Sequence, residues 1–488
     1  MRIWTGRAGS GKTTAILREI AALSEKGEGR QILLVPELNS HLMERRLAAA
    51  THNHGARTAE VLTFSRLADR VFSEVGGLAQ QMLTPAGQLL TLQEAARRVQ
   101  GGLSAWKGLA DKPELLQEAL RLIDECKTCA VAPEALFAAA EESEDAVLAE
   151  KLSDLAQILT AYERLCEESL PDPRDRLTHL RDRLAESHTL DGAAVYLDGF
   201  LGFTVQESAV VDAMLAAGVP LSAAVTCDTD YPEIFLTGCK TVQKLTRMAK
   251  HHNQTVERIE LGESKVTRPA GLAALERESL LPVRTPQESA DGVRLYEAAS
   301  PFDECEHAAA YIRRKVRDEG ARCRDFVVAA RDIEPYSAFL AMAMARYDIP
   351  VFLAEKPDLL SRPPMALVTN ALEAVRNYFR YEDLFSCLKT GLAGLDWDEI
   401  DKLENYVLTW NIRGGAWERE WTEHPDGYGL SIDENAKAQL AELNTLRKRA
   451  IAPFSALREA LAGEQPAGDC VRALYAFLLA VDAPQRMI

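Results

Sequence analysis

The sequence predicts an α/β protein with two parallel P-loop-type sheets, each interrupted by a helical insertion. Three observations predict it. A phosphate-binding loop lies near the N-terminus, between an apolar strand and an amphipathic helix. Short apolar runs separated by helical stretches follow it, and the same alternation returns beyond residue 292. Two long stretches rich in Leu, Ala, Glu and Arg, with few β-branched residues, break into that alternation.

The first element is Arg2-Ile3-Trp4-Thr5, a short strand. It runs into Gly6-Arg7-Ala8-Gly9-Ser10-Gly11-Lys12-Thr13, and Thr14 opens a helix. This is the G-x-x-x-x-G-K-[ST] pattern of a phosphate-binding loop. Its glycines let the backbone bend where a β-carbon would clash, so successive N–H groups turn inward onto phosphate oxygens. Lys12 brings a mobile charge to the β- and γ-phosphates, and the Thr13 hydroxyl suits Mg²⁺. The helix places its positive dipole end under the phosphates, while Ile16, Ile20 and Leu23 share the face that packs on a sheet. A chance Gly/Ser-rich turn would lack the flanking strand, the helix and the full Gly-Lys-Thr ending. The expected ligands are ATP and Mg²⁺, with residues 6–14 as the nucleotide-binding segment.

Gln31-Ile32-Leu33-Leu34-Val35-Pro36 is an apolar run closed by proline, as a buried parallel strand requires. Residues 37–50 read as a helix, and residues 59–67 as a strand leading into another. Strand, helix, strand, helix behind a phosphate loop is the order of a RecA-like or related sheet. Residues 85–187 read as the helical insertion, punctuated by Pro113, Pro133, Pro171 and Pro173. The α/β pattern then resumes: Ala193-Ala194-Val195-Tyr196-Leu197 ends on Asp198. That is the Walker B form, a buried strand delivering a carboxylate beside the phosphate loop to hold Mg²⁺ through water. The competing reading is an Asp-Gly turn after a core strand. A helix at 206–217 and a strand at 221–226 complete this sheet, and Pro269, Pro282 and Pro286 mark a boundary. Residues 1–84 and 188–285 are therefore the two parts of the first RecA-like domain. Residues 286–362 open a second RecA-like domain, with strands at 293–297 and 326–330 around a helix at 304–320. Arg331 ends the latter strand. Residues 363–488 read as a second helical insertion.

A length of 488 residues implies several domains. The net charge of −17 excludes a protein that coats nucleic acid over its whole surface, but not one with a local basic groove. No apolar run approaches the roughly 20 residues of a membrane span, so no membrane partner is expected. Arg2 leads straight into the phosphate-loop strand with no signal peptide, so a cytoplasmic location is expected. The nine cysteines are scattered, as free thiols in a reducing compartment are. Cys126 and Cys129 form a lone C-x-x-C with no second pair at zinc spacing.

Together these elements resemble a superfamily 1 helicase of the UvrD type. The resemblance sharpens with Leu34-Val35-Pro36-Glu37, Thr63-Phe64-Ser65-Arg66-Leu67, and Leu197-Asp198-Gly199-Phe200 with Phe203-Thr204 and Glu207. Further along come Arg322-Cys323-Arg324-Asp325-Phe326, Tyr347 to Phe352, Leu388-Lys389-Thr390-Gly391-Leu392 and Leu403-Glu404-Asn405-Tyr406. In this order the segments resemble AddB, the B subunits of bacterial AddAB helicase–nucleases. The resemblance implies an ATP-binding, helicase-like subunit of a complex that processes DNA double-strand breaks for recombinational repair. It implies a heterodimer with an AddA-type motor and nuclease subunit, acting on single-stranded DNA and duplex ends and scanning the strand rather than driving translocation. It further implies Arg331 on the γ-phosphate as a catalytic group beside Asp198, and Phe64, Ser65 and Arg66 as DNA contacts, with Phe64 as a stacking platform. The competing readings are a surface ion pair for Arg331 and a core position for Phe64.

Two departures from the family matter. Its chains are more than twice as long and carry a RecB-like nuclease domain and four cysteines for an iron–sulfur cluster. No carboxylate/Lys nuclease motif is found here, so an N-terminal fragment is expected and the cluster is not. The second departure is chemical: UvrD-type motors follow the Walker B aspartate with a glutamate that orients water, whereas here Gly199 follows Asp198. A degenerate motor is expected, one that binds ATP and hydrolyses it slowly. Gly199→Glu is expected to raise the rate provided the loop accepts a side chain. Glu207 is expected to serve the start of a helix rather than the site. The rival from another class is a P-loop kinase or signalling NTPase without DNA binding, which would carry a single sheet.

Overall fold

The computed structural model describes residues 1–52, 58–262, 266–278, 289–353, 359–360 and 362–487. The chain forms two compact units, Met1–Arg294 and Leu295–Ile488. In the first, strand β1 (Arg2–Gly6) leads through the phosphate loop into helix α1 (Lys12–Lys26), followed by β2 (Arg30–Leu34), α2 (Ser40–Ala50), β3 (Ala59–Leu62) and α3 (Phe64–Val75). A helical stretch follows: α4 (Pro85–Val99), α5 (Pro113–Thr128), α6 (Pro133–Glu142), α7 (Ala146–Glu168) and α8 (Arg176–Arg183). Then come β4 (Ala193–Leu197), α9 (Val205–Ala216), β5 (Leu221–Thr226), α10 (Leu236–His251), β6 (Glu257–Glu260) and α11 (Ala270–Glu278).

The six strands form one sheet in the order β3-β2-β4-β5-β1-β6, every pairing parallel. Alternation along each strand sends neighbouring side chains to opposite faces. Trp4, Leu33, Val35, Val61, Tyr196 and Ala224 pack with Ile16, Ile20, Met43 and Leu47 of α1 and α2. Ile3, Ile32, Leu34, Val195, Leu197, Ala223 and Val225 pack on the other side with residues of α3, α8, α9 and α10. Both faces are covered, so strands β2, β4 and β5 are buried along nearly their whole length and mostly apolar, as parallel strands covered on both sides are. Strand β6 is the exception. Its Glu-Arg-Ile-Glu sequence is mostly exposed, because it forms the edge beyond β1, where charge keeps a free ladder soluble. The sequence closed this sheet at residues 221–226, and β6 extends it by one strand.

Helices α4 to α7 have their own core around Leu92, Ile123, Ile158, Leu159 and Tyr162. It is pinned by Asp172, fully buried, which accepts hydrogen bonds from Gln88 Nε2 (2.8 Å), the Tyr162 hydroxyl (2.8 Å) and the Arg174 N–H (2.9 Å). A carboxylate with three donors meets its desolvation cost locally.

The second unit is helical: α12 (Pro301–Glu319), α13 (Ser337–Arg346), α14 (Pro363–Arg376), α15 (Tyr381–Leu388), α16 (Trp397–Trp410), α17 (Glu434–Ala460), α18 (Ala467–Ala480) and α19 (Ala483–Arg486). Its two cores gather Cys305, Ile312, Leu340 and Met344, and Leu367, Phe385, Leu403, Trp417 and Phe454. The second RecA-like sheet expected from residues 293–297 and 326–330 does not form among the described residues. Both segments carry no strand pairing, and Leu295 and Val327 are 100% and 90% exposed. Their β-branched and aromatic residues satisfy strand propensity, but a strand needs a neighbour to take its N–H and C=O groups. No helix among the described residues is long and apolar enough to cross a membrane.

Candidate nucleotide site

The loops that follow the six parallel strands gather at one edge of the sheet, where ligands of open α/β sheets bind. The phosphate loop leaves β1 there. Gly11 stands at the N-cap of α1 with φ 95°, and no side chain caps the helix, so its first-turn N–H groups are left for an anion. The Lys12 ammonium donates to the Gly6 and Arg7 carbonyls, each at 2.8 Å, and holds the loop closed. Burial pushes this ammonium below the usual lysine value, against the opposing pull of Asp198. Ser10 Oγ is fully buried and has no hydrogen-bond partner. An orphan hydroxyl within the phosphate loop fits a phosphate oxygen. Ala8 and Thr14, also assigned to the segment, are exposed.

Asp198 follows β4, two strands from β1 with β5 between them. It is 4% exposed. Burial raises its carboxyl above the usual aspartate value, opposed by the neighbouring Thr13 hydroxyl and Gly199 N–H and by the charges of Lys12 and Arg46. Thr13 and Asp198 thus meet although 185 positions of intervening chain connect them (198 minus 13). Two adjoining oxygens beside a lysine are a donor set that fits Mg²⁺. Arg46, in the second turn of α2, went unnoticed in the sequence: nothing in Glu44-Arg45-Arg46 distinguishes it from a solvated face, and only the packing of α2 brings its charge to Asp198.

Gly199 is a backbone requirement. It has φ +82°, and a β-carbon there would lie 3.2 Å from Asn39 Nδ2 and 3.4 Å from Pro36 Cδ. The left-handed backbone strains an ordinary side chain here, and Asn39 would have to give way to its β-carbon. The proviso attached to Gly199→Glu, that the loop accept a side chain, is therefore met only against strain. Glu207 is the third residue of α9 and closes a capping box: Thr204 N–H donates to Glu207 Oε2 (2.8 Å) and Glu207 N–H to Thr204 Oγ1 (3.1 Å).

Beside the loop lies a cleft of about 590 Å³, lined by the ends of β1, β5 and β6, by residues 227–231 and by α11. Arg7 forms its boundary with the phosphate loop. Its Nε is 2.6 Å from Asp228 Oδ2, and its guanidinium lies 4.9 Å from the Tyr231 ring centre and 5.7 Å from that of Phe235. Arg258 and Glu260 of β6 stand opposite. The cleft's size and its aromatic and charged lining suit a nucleoside. No local pattern in the sequence marks it, since its walls come from segments far apart in the chain.

The residues assigned to DNA divide. Phe64 is 5% exposed, the first residue of α3, with its ring edge-on to Phe200 at 5.7 Å. It is part of the core, which overturns its assignment as a stacking platform: the face of a buried ring is not available to a base. Ser65 and Arg66 are exposed, and Arg66 is ion-paired with Glu44. Arg331 is exposed in the second unit, after the unpaired segment 326–330. No cluster of three or more metal-binding side chains occurs among the described residues.

Known proteins resemble this sequence. The family profile described as "ADDB, N-terminal" matches residues 3–276, which contain the phosphate loop, all six strands and Asp198. Proteins named as the B subunits of ATP-dependent helicase/deoxyribonucleases align over the whole chain. The one from Acetivibrio thermocellus is 32% identical over 503 residues, covering 100% of this chain and 44% of that protein. Those from Thermoanaerobacter sp. and Desulfitobacterium hafniense are each 31% identical, with 44% and 42% of their lengths covered. The chain thus spans less than half the length of these relatives. The second sheet that would have distinguished it from a one-sheet kinase is absent from the described residues, and the family match makes that distinction instead. With the phosphate loop, the Asp198 strand and the sheet that joins them all inside the matched region, the chain belongs to the AddB N-terminal family.

Proposed function

We propose that this chain is the ATP-binding, helicase-like part of a B-type subunit in an ATP-dependent helicase/deoxyribonuclease complex. In this reading it works with an AddA-type motor and nuclease subunit on DNA ends, and it binds single-stranded DNA and scans it rather than driving translocation. The observation that carries the reading is the placement of buried Asp198, with Thr13 beside it, at the mouth of a phosphate loop whose helix is uncapped. The loop N–H groups and Ser10 would hold the phosphates, and Lys12 would exchange the Gly6 and Arg7 carbonyls for phosphate oxygens. Thr13 and ionised Asp198 would hold Mg²⁺, which when bound offsets phosphate charge. The cleft bounded by Arg7 and Tyr231 would take the nucleoside. Gly199 leaves no carboxylate next to Asp198 to orient water, a loss of about 10²–10⁴ in rate. ATP should therefore bind and turn over slowly.

Titration of the purified chain with a fluorescent ATP analogue and Mg²⁺ tests the site, with Lys12→Ala as the variant. We expect saturable binding, lost at least about tenfold in the variant, with the protein still folding cooperatively in urea because Lys12 bonds only loop carbonyls and supports no core. Equal affinity in both proteins would refute the assignment. Steady-state ATPase with single-stranded DNA tests the degenerate-motor reading. A turnover of roughly tens per second that disappears in Glu207→Gln would show that the capping glutamate supplies the missing carboxylate and would overturn it.

A further inference from the structure

The nine cysteines are all free, and two of them touch. Cys227 follows β5 directly and Cys239 lies in the first turn of α10, with their sulfurs 3.0 Å apart. The approach is built into the backbone. Helix α10 meets the end of β5 at Gly238, where a β-carbon would fall 1.9 Å from the Thr226 carbonyl oxygen, so only glycine allows the helix this close. On the other side the Cys227 N–H donates to the Gly6 carbonyl at 3.3 Å, which ties the cysteine to the first residue of the phosphate loop. The two sulfurs are thus held together by a helix packed on a strand.

We propose that Cys227 and Cys239 form a reversible disulfide on exposure to a peroxide, making this end of β5 an oxidation site on the wall of the nucleotide cleft. The sulfurs need to close by only about 1 Å to reach bonding distance. Cys239 is partly exposed, whereas Cys227 is 2% exposed. Burial, with the contact to Cys239, pushes the Cys227 thiol up to about 12. The peroxide therefore meets Cys239 first: its sulfur displaces one peroxide oxygen as water and becomes a sulfenic acid. The Cys227 sulfur then attacks the Cys239 sulfur, its proton leaves with the departing hydroxyl as a second water, and the S–S bond forms. Two thiols lose two electrons and two protons, and one peroxide becomes two waters. A dithiol reductant reverses the step by exchange.

The bond would join the two ends of the segment that carries Asp228, Tyr231 and Phe235, the residues that hold Arg7. Oxidation would thus fix one wall of the cleft, while the other cysteines of the chain stay reduced. The inference concerns the thiols alone and stands whether or not a nucleotide binds.

The test treats the whole chain with stoichiometric hydrogen peroxide, blocks remaining thiols with an alkylating agent, and cleaves after Glu233, between the two cysteines. Wild-type protein should yield the 227 and 239 peptides joined, about 2 Da lighter than their sum, unalkylated, and separated by dithiothreitol. Cys239→Ser should abolish the joined species and leave Cys227 alkylated only after denaturation. Cys227→Ala, which keeps the exposed partner, should instead stop at Cys239 sulfenic acid with one equivalent of peroxide and reach sulfinic acid only when a second equivalent is added. Alkylation of both cysteines in peroxide-treated wild type, or cross-linking of Cys126 with Cys129 at the same rate, would overturn the proposal.

Discussion

Substituting Gly199 tests whether the missing carboxylate is a vacancy open to repair or a consequence of the backbone. A residue with a β-carbon at this φ costs about 1–2 kcal/mol. Its β-carbon would lie 3.2 Å from Asn39 Nδ2 and 3.4 Å from Pro36 Cδ, so those neighbours must also yield. Together these amount to about 1–3 kcal/mol. The order within a series is more telling than the total. Asn enters the left-handed region more readily than Ala, so Gly199→Asn should cost less than Gly199→Ala, with Gly199→Glu at least as costly as Ala. Urea unfolding of the four proteins, with midpoints compared at constant slope, reads this directly. The same proteins assayed for ATP turnover should show no gain in Gly199→Glu, because the strained loop displaces Asp198 from Thr13. A Gly199→Ala protein as stable as wild type, or a Gly199→Glu protein with turnover raised tenfold or more, would refute the reasoning.

The pH dependence of the site follows from two buried charges. Asp198 is a weaker acid when folded, so its ionisation opposes folding as pH rises through its raised value, and protonation displaces Mg²⁺ as pH falls. Mg²⁺-dependent nucleotide affinity should therefore decline with falling pH in a window that starts above about 4, and Asp198→Asn should abolish that dependence in the same titration. Lys12 loses its proton below the usual lysine value of about 10.4, so affinity for inorganic tripolyphosphate should fall early on the alkaline side and be restored there in Lys12→Arg. Phe64→Ala should destabilise the protein by about 3–5 kcal/mol in urea, whereas a surface ring would cost almost nothing. Tyr162→Phe removes one of three donors to the buried Asp172 and should cost about 1–3 kcal/mol, with an unchanged midpoint arguing against the network.

The features legible in the sequence were those written in adjacent residues. The phosphate loop, the strand ending on Asp198 and the other apolar strands of the first unit needed only local spacing and continuous hydrophobic runs. The place of Glu207 at a helix start was legible for the same reason, though its capping box with Thr204 came only from the structure. What failed was tertiary. Strand β6 carries charge because it lies at an edge, so its composition imitates a loop. Residues 326–330 have the composition of a buried strand and yet lack a partner, which no local pattern records. Phe64 has the same sequence signature whether its ring faces a base or Phe200. Arg46, Asp228 and Tyr231 joined the site only through packing between segments far apart in the chain.

The position of β1 also constrains how the protein is made. This strand is made before either of its neighbours, yet it lies inside the sheet between β5 and β6, and the Met1 nitrogen donates to the Thr255 carbonyl 254 positions away. Neither long edge of β1 has a neighbour until β5 has been made, and the second edge stays open until β6 follows. At about 5–20 residues per second the wait is roughly 10–50 s, ample time for α4 to α7 to close their own core, whose contacts are local in sequence. The phosphate loop would then take shape only after β5 is in place, although it is synthesised long before it. During that interval Ile3 and Trp4 are exposed apolar residues on a nascent chain, which makes the N-terminal strand the natural substrate for a chaperone and the segment most sensitive to a slowed or interrupted translation.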